Sequence, residues 1–155
     1  MNENIYERIR ADHDKQRRLI DLVGKTQGDS DGRRELFARL RAEALSHAAV
    51  EERVFYSTLL AQELTRDKAG HSVSEHHEAE DIFEELEKMD MSSPGWLLRF
   101  KTLAEDLEHH MDEEEHEVFQ LAGKVLSDEQ EKQMAQQYAN EKPDERKELL
   151  AEARP

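Results

Sequence analysis

Cysteine is absent from this sequence of 155 residues, which excludes disulfides, thiolate metal sites and cysteine nucleophiles. Any metal site in the chain must therefore be built from histidine, aspartate and glutamate side chains. Proline and glycine are also scarce, at three and six residues. Because so few helix breakers interrupt the chain, an all-α fold is predicted.

Long apolar runs are missing as well. No stretch approaches the roughly 18 apolar residues of a membrane span, and the N-terminal sequence MNENIYERIR lacks the apolar segment of a signal peptide. Basic residues are outnumbered, with 22 Lys and Arg against 37 Asp and Glu, for a net charge of -15. This charge opposes binding to nucleic acid or to an anionic membrane. We therefore expect a cytoplasmic protein with neither of these partners.

Apolar residues recur at helical spacing along most of the chain and predict four long helices. The first three are expected at about 3–26, 33–64 and 72–89, and the fourth carries an apolar stripe from Trp96 to Leu121. The turn-forming run GDSDG ends the first helix, while Ser93 and Pro94 provide a cap and a start for the fourth. Short links between long helices indicate an up-down-up-down four-helix bundle over residues 1–126.

A further helix is predicted after the bundle, because Ser127 is a good N-cap and Gln130 stands three residues later. This helix is expected to end near residue 139. The charged tail from Lys142, which contains Pro143, is expected to form a short helix or a frayed end. Residues 127–155 are thus predicted to be a C-terminal helical extension that packs on the bundle or trails from it.

Two stretches of the chain share one motif: HAAVEERVFY begins at His47, and HMDEEEHEVF begins at His110, which is 63 residues later. In each, a glutamate follows the histidine by four residues and so lies on the same helix face. An isolated pair of this kind is usually a surface ion pair. The same offset of 63 residues also relates His13 to His76, however, so that one histidine on each of the four predicted helices belongs to the repeat.

Helical periodicity selects one histidine from each of the two His-His doublets. His110 follows Leu107 by three residues and lies in the apolar stripe, whereas His109 is rotated from it by about 100°. His76 precedes Ala79 by three residues, whereas His77 continues into a face rich in glutamate. The histidines predicted to point into the bundle are therefore the ones that the repeat relates.

Burying such side chains costs free energy. An unpaired buried carboxylate costs several kcal/mol unless a partner or a metal compensates its charge. Four imidazoles and two carboxylates at one level of a bundle are suitable ligands for two metal ions, with the carboxylates able to bridge them. The predicted metal ligands are His13, His47, Glu51, His76, His110 and Glu114.

Neighbouring side chains leave alternatives open. Taken singly, His13 or His76 is more often a hydrogen-bonded core histidine than a ligand. Glu52 and Glu115 are weaker ligand candidates. Tyr6 and Tyr56 could line the site, although aromatic residues on helix faces are more often packing residues.

The sequence resembles hemerythrin-like proteins of the HHE cation-binding class. The resemblance rests on DHDKQRRLI from Asp12, HAAVEERVFY, SEHHEAEDIFEEL and EHHMDEEEHEVF, and covers nearly the whole predicted bundle. It implies a non-haem centre of two iron ions, bridged by two carboxylates and an oxo or hydroxo group. Carried over by motif, the six residues above would be its ligands. Manganese and zinc also accept imidazole and carboxylate ligands.

The chain departs from the oxygen-carrying members of this family. They resemble it but place a second histidine four residues after the first on the third helix, where this chain has Glu80. Their fourth-helix carboxylate lies at the position of Glu115 rather than Glu114. Both departures argue against reversible oxygen carriage and leave about one open position per iron, unless His77 or Glu80 fills one.

Three functions remain as hypotheses. The first is a protein that binds or senses dioxygen, nitric oxide or reactive oxygen species, and that needs a partner protein for signalling. The second is an enzyme that decomposes peroxide or detoxifies reactive oxygen or nitrogen species, with Tyr56 as a proton or electron donor. The third is a metal-free acidic scaffold, which leaves the inward histidines and glutamates uncompensated. A ferritin-like site and a zinc protease are disfavoured because Glu-x-x-His pairs from four helices and a His-Glu-x-x-His string are not found.

Overall fold

Helices account for all the regular secondary structure in the computed structural model, which describes residues 3–152. This confirms the predicted all-α class. The α-helices are α1 Ile5–Gly24, α2 Asp31–Glu51, α3 Ser57–Leu60, α4 Arg66–Lys88, α5 Pro94–Glu113, α6 Phe119–Ala122 and α7 Asp128–Glu152.

Two π-helical turns join pairs of α-helices into continuous rods. The first turn, Glu52–Tyr56, connects α2 to α3, and the second, Glu114–Val118, connects α5 to α6. The four rods of the bundle are thus α1, α2 with α3, α4, and α5 with α6. Sequence periodicity predicts unbroken α-helix at both turns, which is wrong. Turns of this type hold one residue more than an α-helical turn and are frequent at functional sites.

Side-chain caps mark where the rods begin. Asn4 forms a capping box with Glu7, Ser30 accepts from the amide of Arg33, and Ser93 accepts from the amide of Gly95. Pro94 occupies the first turn of α5, where no backbone N–H is needed. The second rod runs from residue 31 to residue 60, so both of its predicted ends are shifted towards the N-terminus.

The start of α4 differs from the prediction, because the run TRDKAG was expected to be a loop and belongs mostly to the helix. The hydroxyl of Thr65 donates to the carbonyl of Leu59 at 2.6 Å, and the Arg66 guanidinium donates to the carbonyl of Leu60 at 3.0 Å. Ala69 is fully buried. These contacts offset the cost of about 1 kcal/mol for Gly70 in a helix interior.

Two apolar clusters fill the bundle and leave a polar level between them. Both clusters consist of side chains at helical spacing on the inward faces of the rods. One cluster includes Ile9, Phe55, Leu59, Phe119 and Tyr138. The other includes Ile20, Phe37, Phe83, Trp96 and Leu103. The histidines of the repeat lie in neither cluster.

The C-terminal helix α7 packs along α1 and α2. Ser127 and Gln130 form the predicted capping box, with hydrogen bonds of 2.9 and 3.1 Å. The helix does not end near residue 139 or fray from Lys142, as expected from the sequence, but continues through Pro143 to Glu152. Contacts with α2 and the first π-helical turn hold it, since Arg53 pairs with Glu141 and Glu145 at 3.0 and 3.1 Å.

Within residues 3–152, no helix has the length and apolar character that crossing a lipid bilayer requires.

Candidate metal centre

All six predicted ligand residues are buried, and their side chains meet in the interior of the bundle. Their nitrogen and oxygen atoms form two groups in which every donor lies within 4.8 Å of the others. The first group is His13, His47, Glu51 and Glu114, and the second is Glu51, His76 and His110. The spacing between donors is therefore that of two adjacent cation sites.

Glu51 belongs to both groups. Its Oε2 lies 3.2 Å from Nε2 of His47, and its Oε1 lies 3.1 Å from Nε2 of His76. Neither oxygen of Glu51 accepts a hydrogen bond within the described part of the chain. A carboxylate with one oxygen directed to each group is suited to bridge two cations.

Glu114 does not share this position, although the repeat relates it to Glu51. Its Oε1 lies 2.9 Å from Nε2 of His13, while its Oε2 accepts a hydrogen bond from the hydroxyl of Tyr56. The position equivalent to Tyr56 in the second motif is Phe119, which has no hydroxyl to engage Glu51 in the same way. The resemblance implies two bridging carboxylates, whereas in the structure only Glu51, among the described residues, spans the two donor groups.

Several donor atoms in the centre are buried without a hydrogen-bond partner. They are Nε2 of His13, Nε2 of His47, both oxygens of Glu51 and Oε1 of Glu114. Nε2 of His76 faces Nε2 of His110 at 3.1 Å. Adjacent ligand atoms of an octahedral site are separated by ~3.0 Å when metal–nitrogen bonds are ~2.1 Å. Cations at this level would supply the missing partners, so the residues fit a metal centre.

The outer ring nitrogens of three histidines each contact a carboxylate on a neighbouring rod. Nδ1 of His13 lies 2.6 Å from Glu115, and Nδ1 of His76 lies 2.7 Å from Glu52. Nδ1 of His110 lies 2.9 Å from Glu75. A histidine that donates its Nδ1–H to a carboxylate leaves the lone pair of Nε2 for a metal. Glu52 and Glu115, considered above as weaker ligands, therefore orient histidines instead.

The fourth histidine, His47, is oriented by a buried network that includes α7. Its Nδ1 contacts the Tyr138 hydroxyl, which donates to Asp12. Nδ1 of His47 also lies 3.4 Å from Asp12. The ammonium group of Lys142 donates to Asp12 at 2.9 Å and to Glu43 as well.

These orienting carboxylates were missed in the sequence, although the repeat contains them. The offset of 63 residues relates Asp12 to Glu75 and Glu52 to Glu115. An acidic residue precedes each of His13 and His76, and this signal identifies two of the four carboxylates. Tyr138 and Lys142 have no counterpart at this offset within the chain, so no repeat reveals them.

The carboxylates raise the pKa of the buried imidazoles in the metal-free chain. Burial by itself lowers the pKa of His47, but Glu51 and Asp12 outweigh burial and raise it to about 10. Burial likewise opposes the effect of Glu51 and Glu52 on His76, whose pKa rises to about 9. Burial and the negative charges of Glu114 and Glu51 raise the pKa of Tyr56 well above its usual value, so its hydroxyl remains a donor.

A cavity of about 20 Å³ adjoins the four histidines, which is room for one small molecule. Apolar side chains form most of its remaining wall, with Gln16 as a polar residue. The apolar residues include Ala44, Ala79, Phe83, Leu107 and Met111.

Other residues considered from the sequence lie outside the centre. His77, Glu80 and His109 are exposed on the bundle surface. They are not in either inner donor group. Tyr6 donates to Glu131 at 2.6 Å and packs against Phe119, which gives it a packing role.

Comparison with known proteins points to one family. Residues 4–122 match the family described as the hemerythrin HHE cation binding domain. The fold is similar to the crystal structure of a hemerythrin HHE cation binding domain-containing protein from Mycobacterium kansasii, with a TM-score of 0.83 and 22% sequence identity over 98% of this chain and 99% of that one. None of the curated proteins gives a significant match.

Proposed function

Because the chain belongs to the hemerythrin HHE cation-binding domain family, we propose that its metal is a pair of iron ions and that the centre binds dioxygen, nitric oxide or a reactive oxygen species. The proposed ligands are His13, His47, Glu51, His76, His110 and Glu114. The observation that carries the proposal is the set of buried donors without partners next to a small apolar cavity.

The side chains around the centre have separate roles. Bound iron would supply a redox-active Lewis acid that accepts small oxygen or nitrogen ligands. The four carboxylates behind the histidines hold the imidazole rings in one orientation, so that the Nε2 atoms converge. The apolar wall favours small, weakly hydrated molecules over bulk water, and the cavity volume limits their size.

Metal analysis of matched histidine variants tests the ligand assignment. His76→Ala removes a buried donor, and we expect at least one of two metal ions per chain to be lost. His77→Ala changes the neighbouring exposed side chain, and its metal content should remain that of the unchanged protein. Equal metal content in both variants would contradict the assignment. Addition of nitric oxide to the iron-loaded protein should then give a stable change in the absorption spectrum.

A second candidate function, decomposition of hydrogen peroxide, is favoured by the position of Tyr56. In this reaction two peroxide molecules give two waters and one dioxygen, so no further oxidant is needed. The Tyr56 hydroxyl is fully buried and donates to Glu114, which places an exchangeable proton beside a proposed ligand. Such a donor typically accelerates proton transfer by about 10²–10⁴-fold.

Oxygen evolution from peroxide distinguishes the two candidates. If the centre is catalytic, the iron-loaded protein turns over many equivalents of peroxide, and Tyr56→Phe lowers the rate at least tenfold without loss of iron. Tyr6→Phe, which removes a hydroxyl bonded to Glu131 instead, serves as the control. A spectral change without turnover would reject the enzyme and support ligand binding.

A further inference from the structure

A second group of histidine and glutamate side chains lies on the surface formed by α4 and α5. We call the residues His71, Glu75, His109 and Glu113 the outer cluster. They form two His-x-x-x-Glu pairs, one on each helix, with the same spacing as the inner pairs on α2 and α5. The spacing places both members of a pair on one helix face.

The distances within the outer cluster match those between the ligands of one metal ion. Nε2 of His71 lies 3.4 Å from Oε2 of Glu75 and 3.4 Å from Oε1 of Glu113. Ligand atoms of a tetrahedral site with metal–ligand bonds of 2.0–2.1 Å are separated by ~3.4 Å. Nε2 of His109 lies 3.5 Å from Oε2 of Glu113, so this exposed imidazole can provide a fourth donor.

From this geometry we propose that the outer cluster is a separate binding site for one divalent transition-metal ion such as Zn²⁺ or Fe²⁺. Imidazole and carboxylate donors in a tetrahedral arrangement suit ions of this class. The site is open to solvent, since 55% of the His71 side chain and 67% of the His109 side chain are exposed. It can therefore take up metal from solution directly.

The glutamates of the outer cluster have oxygen atoms available for a cation. Oε1 of Glu113 is buried and has no hydrogen-bond partner within the described residues. Glu75 uses its Oε1 to accept from His110 at 2.9 Å, which leaves Oε2 facing His71. The nearby Lys68 pairs with Glu117 at 3.0 Å, so its positive charge does not neutralise the two glutamates.

The internal repeat does not require the outer cluster. The position equivalent to His71 in the first half is Arg8, and the position equivalent to Glu75 is Asp12. There, Arg8 lies 3.7 Å from Asp12, and Lys142 and Tyr138 of α7 contact the same carboxylate. Cationic groups and α7 thus occupy the first half, whereas imidazoles and open surface occupy the second. A role in orienting His110 needs Glu75 alone and does not explain His71, His109 and Glu113.

Binding of Zn²⁺ to protein first stripped with a chelator tests this proposal. We expect equilibrium dialysis with metal analysis to give three Zn²⁺ per chain, two at the inner centre and one at the outer cluster. His71→Ala and Glu113→Gln should each remove one equivalent and leave two. His77→Ala, an exposed histidine on the same helix, should leave all three. Circular dichroism should show unchanged helix content in each of these surface variants.

The inner and outer sites fail independently in this experiment. If His71→Ala and Glu113→Gln bind as much Zn²⁺ as the unchanged protein, the outer site is rejected, whatever the inner centre holds. If His76→Ala lowers the stoichiometry while retaining one equivalent that His71→Ala then removes, the outer site is supported. If His76→Ala loses no metal, the inner assignment is wrong, and the effect of His71→Ala still decides the outer site.

Discussion

Each histidine of the inner centre uses its two ring nitrogens differently. Nε2 points to the other ligands, and Nδ1 points to an acidic side chain on another element. The acidic partner fixes the tautomer and the ring orientation, and it increases the basicity of the imidazole. Carboxylates that contact no metal thus contribute to metal affinity.

Substitution of Glu52 tests this contribution at a single residue. Glu52→Gln keeps a group that can accept from Nδ1 of His76, now 2.7 Å from the carboxylate, but removes its charge. We expect metal affinity to fall about 10–100-fold, measured by competition with a chelator of known affinity. The exposed Glu80→Gln is the control for lost surface charge. Equal affinity in both variants would contradict an orienting role for Glu52.

The helix α7 contributes to the centre although the family match ends at residue 122. Tyr138 and Lys142 enter the interior from this helix and contact Asp12, which lies beside His47. Lys142 also contacts Glu43, so two buried carboxylates share one buried ammonium group. The helix is held to the bundle by buried charge as well as by apolar packing.

Removal of the Lys142 charge should destabilise the whole chain. Lys142→Met retains most of the apolar stem but leaves Asp12 and Glu43 without their buried counter-ion. Breaking a buried ion pair from one side costs about 3–5 kcal/mol, which should appear in the free energy of unfolding by urea. Lys147→Met, at an exposed position on the same helix, should change it by no more than about 0.5 kcal/mol. A small loss in both variants would show that the network adds little stability.

Charge at the level of the whole molecule links metal binding to pH. The metal-free chain has a net charge of -15 with neutral histidines. Buried carboxylates raise the pKa of His47 to about 10 and of His76 to about 9, so both imidazoles are protonated at neutral pH. In this state, protons compensate the carboxylates that cations would compensate in the metal-bound protein.

Metal uptake should therefore release protons. A metal requires neutral imidazole, so we expect roughly two protons per chain to leave at pH 7.5 as metal enters. The sign follows from the raised pKa values: below about pH 9, affinity falls as the pH falls, because more of the site must lose protons. Calorimetric titration in two buffers with different ionisation enthalpies measures this number. No proton release would show that His47 and His76 are neutral before metal binds.

Helical periodicity and the repeat predicted the bundle and its inward residues. Within each His-His doublet, spacing along a single helix was sufficient to separate the buried His76 and His110 from the exposed His77 and His109. The carboxylates behind the histidines were not recognised, because these contacts join residues on different elements. The length of α7 was underestimated because Pro143 disfavours helix locally, while the ion pairs of Arg53 with α7 lie far away in sequence.

The sequence alone therefore determined the helical class, the inward faces and a duplicated set of six candidate ligands, since these depend on residue type and local spacing. The tertiary structure decided how the two halves differ. The Tyr56 hydroxyl engages Glu114 while Glu51 spans both donor groups. Likewise, α7 covers Asp12 while Glu75 faces an open cluster. Both differences depend on contacts between elements, and an internal repeat carries no information about the neighbours that pack against each of its copies.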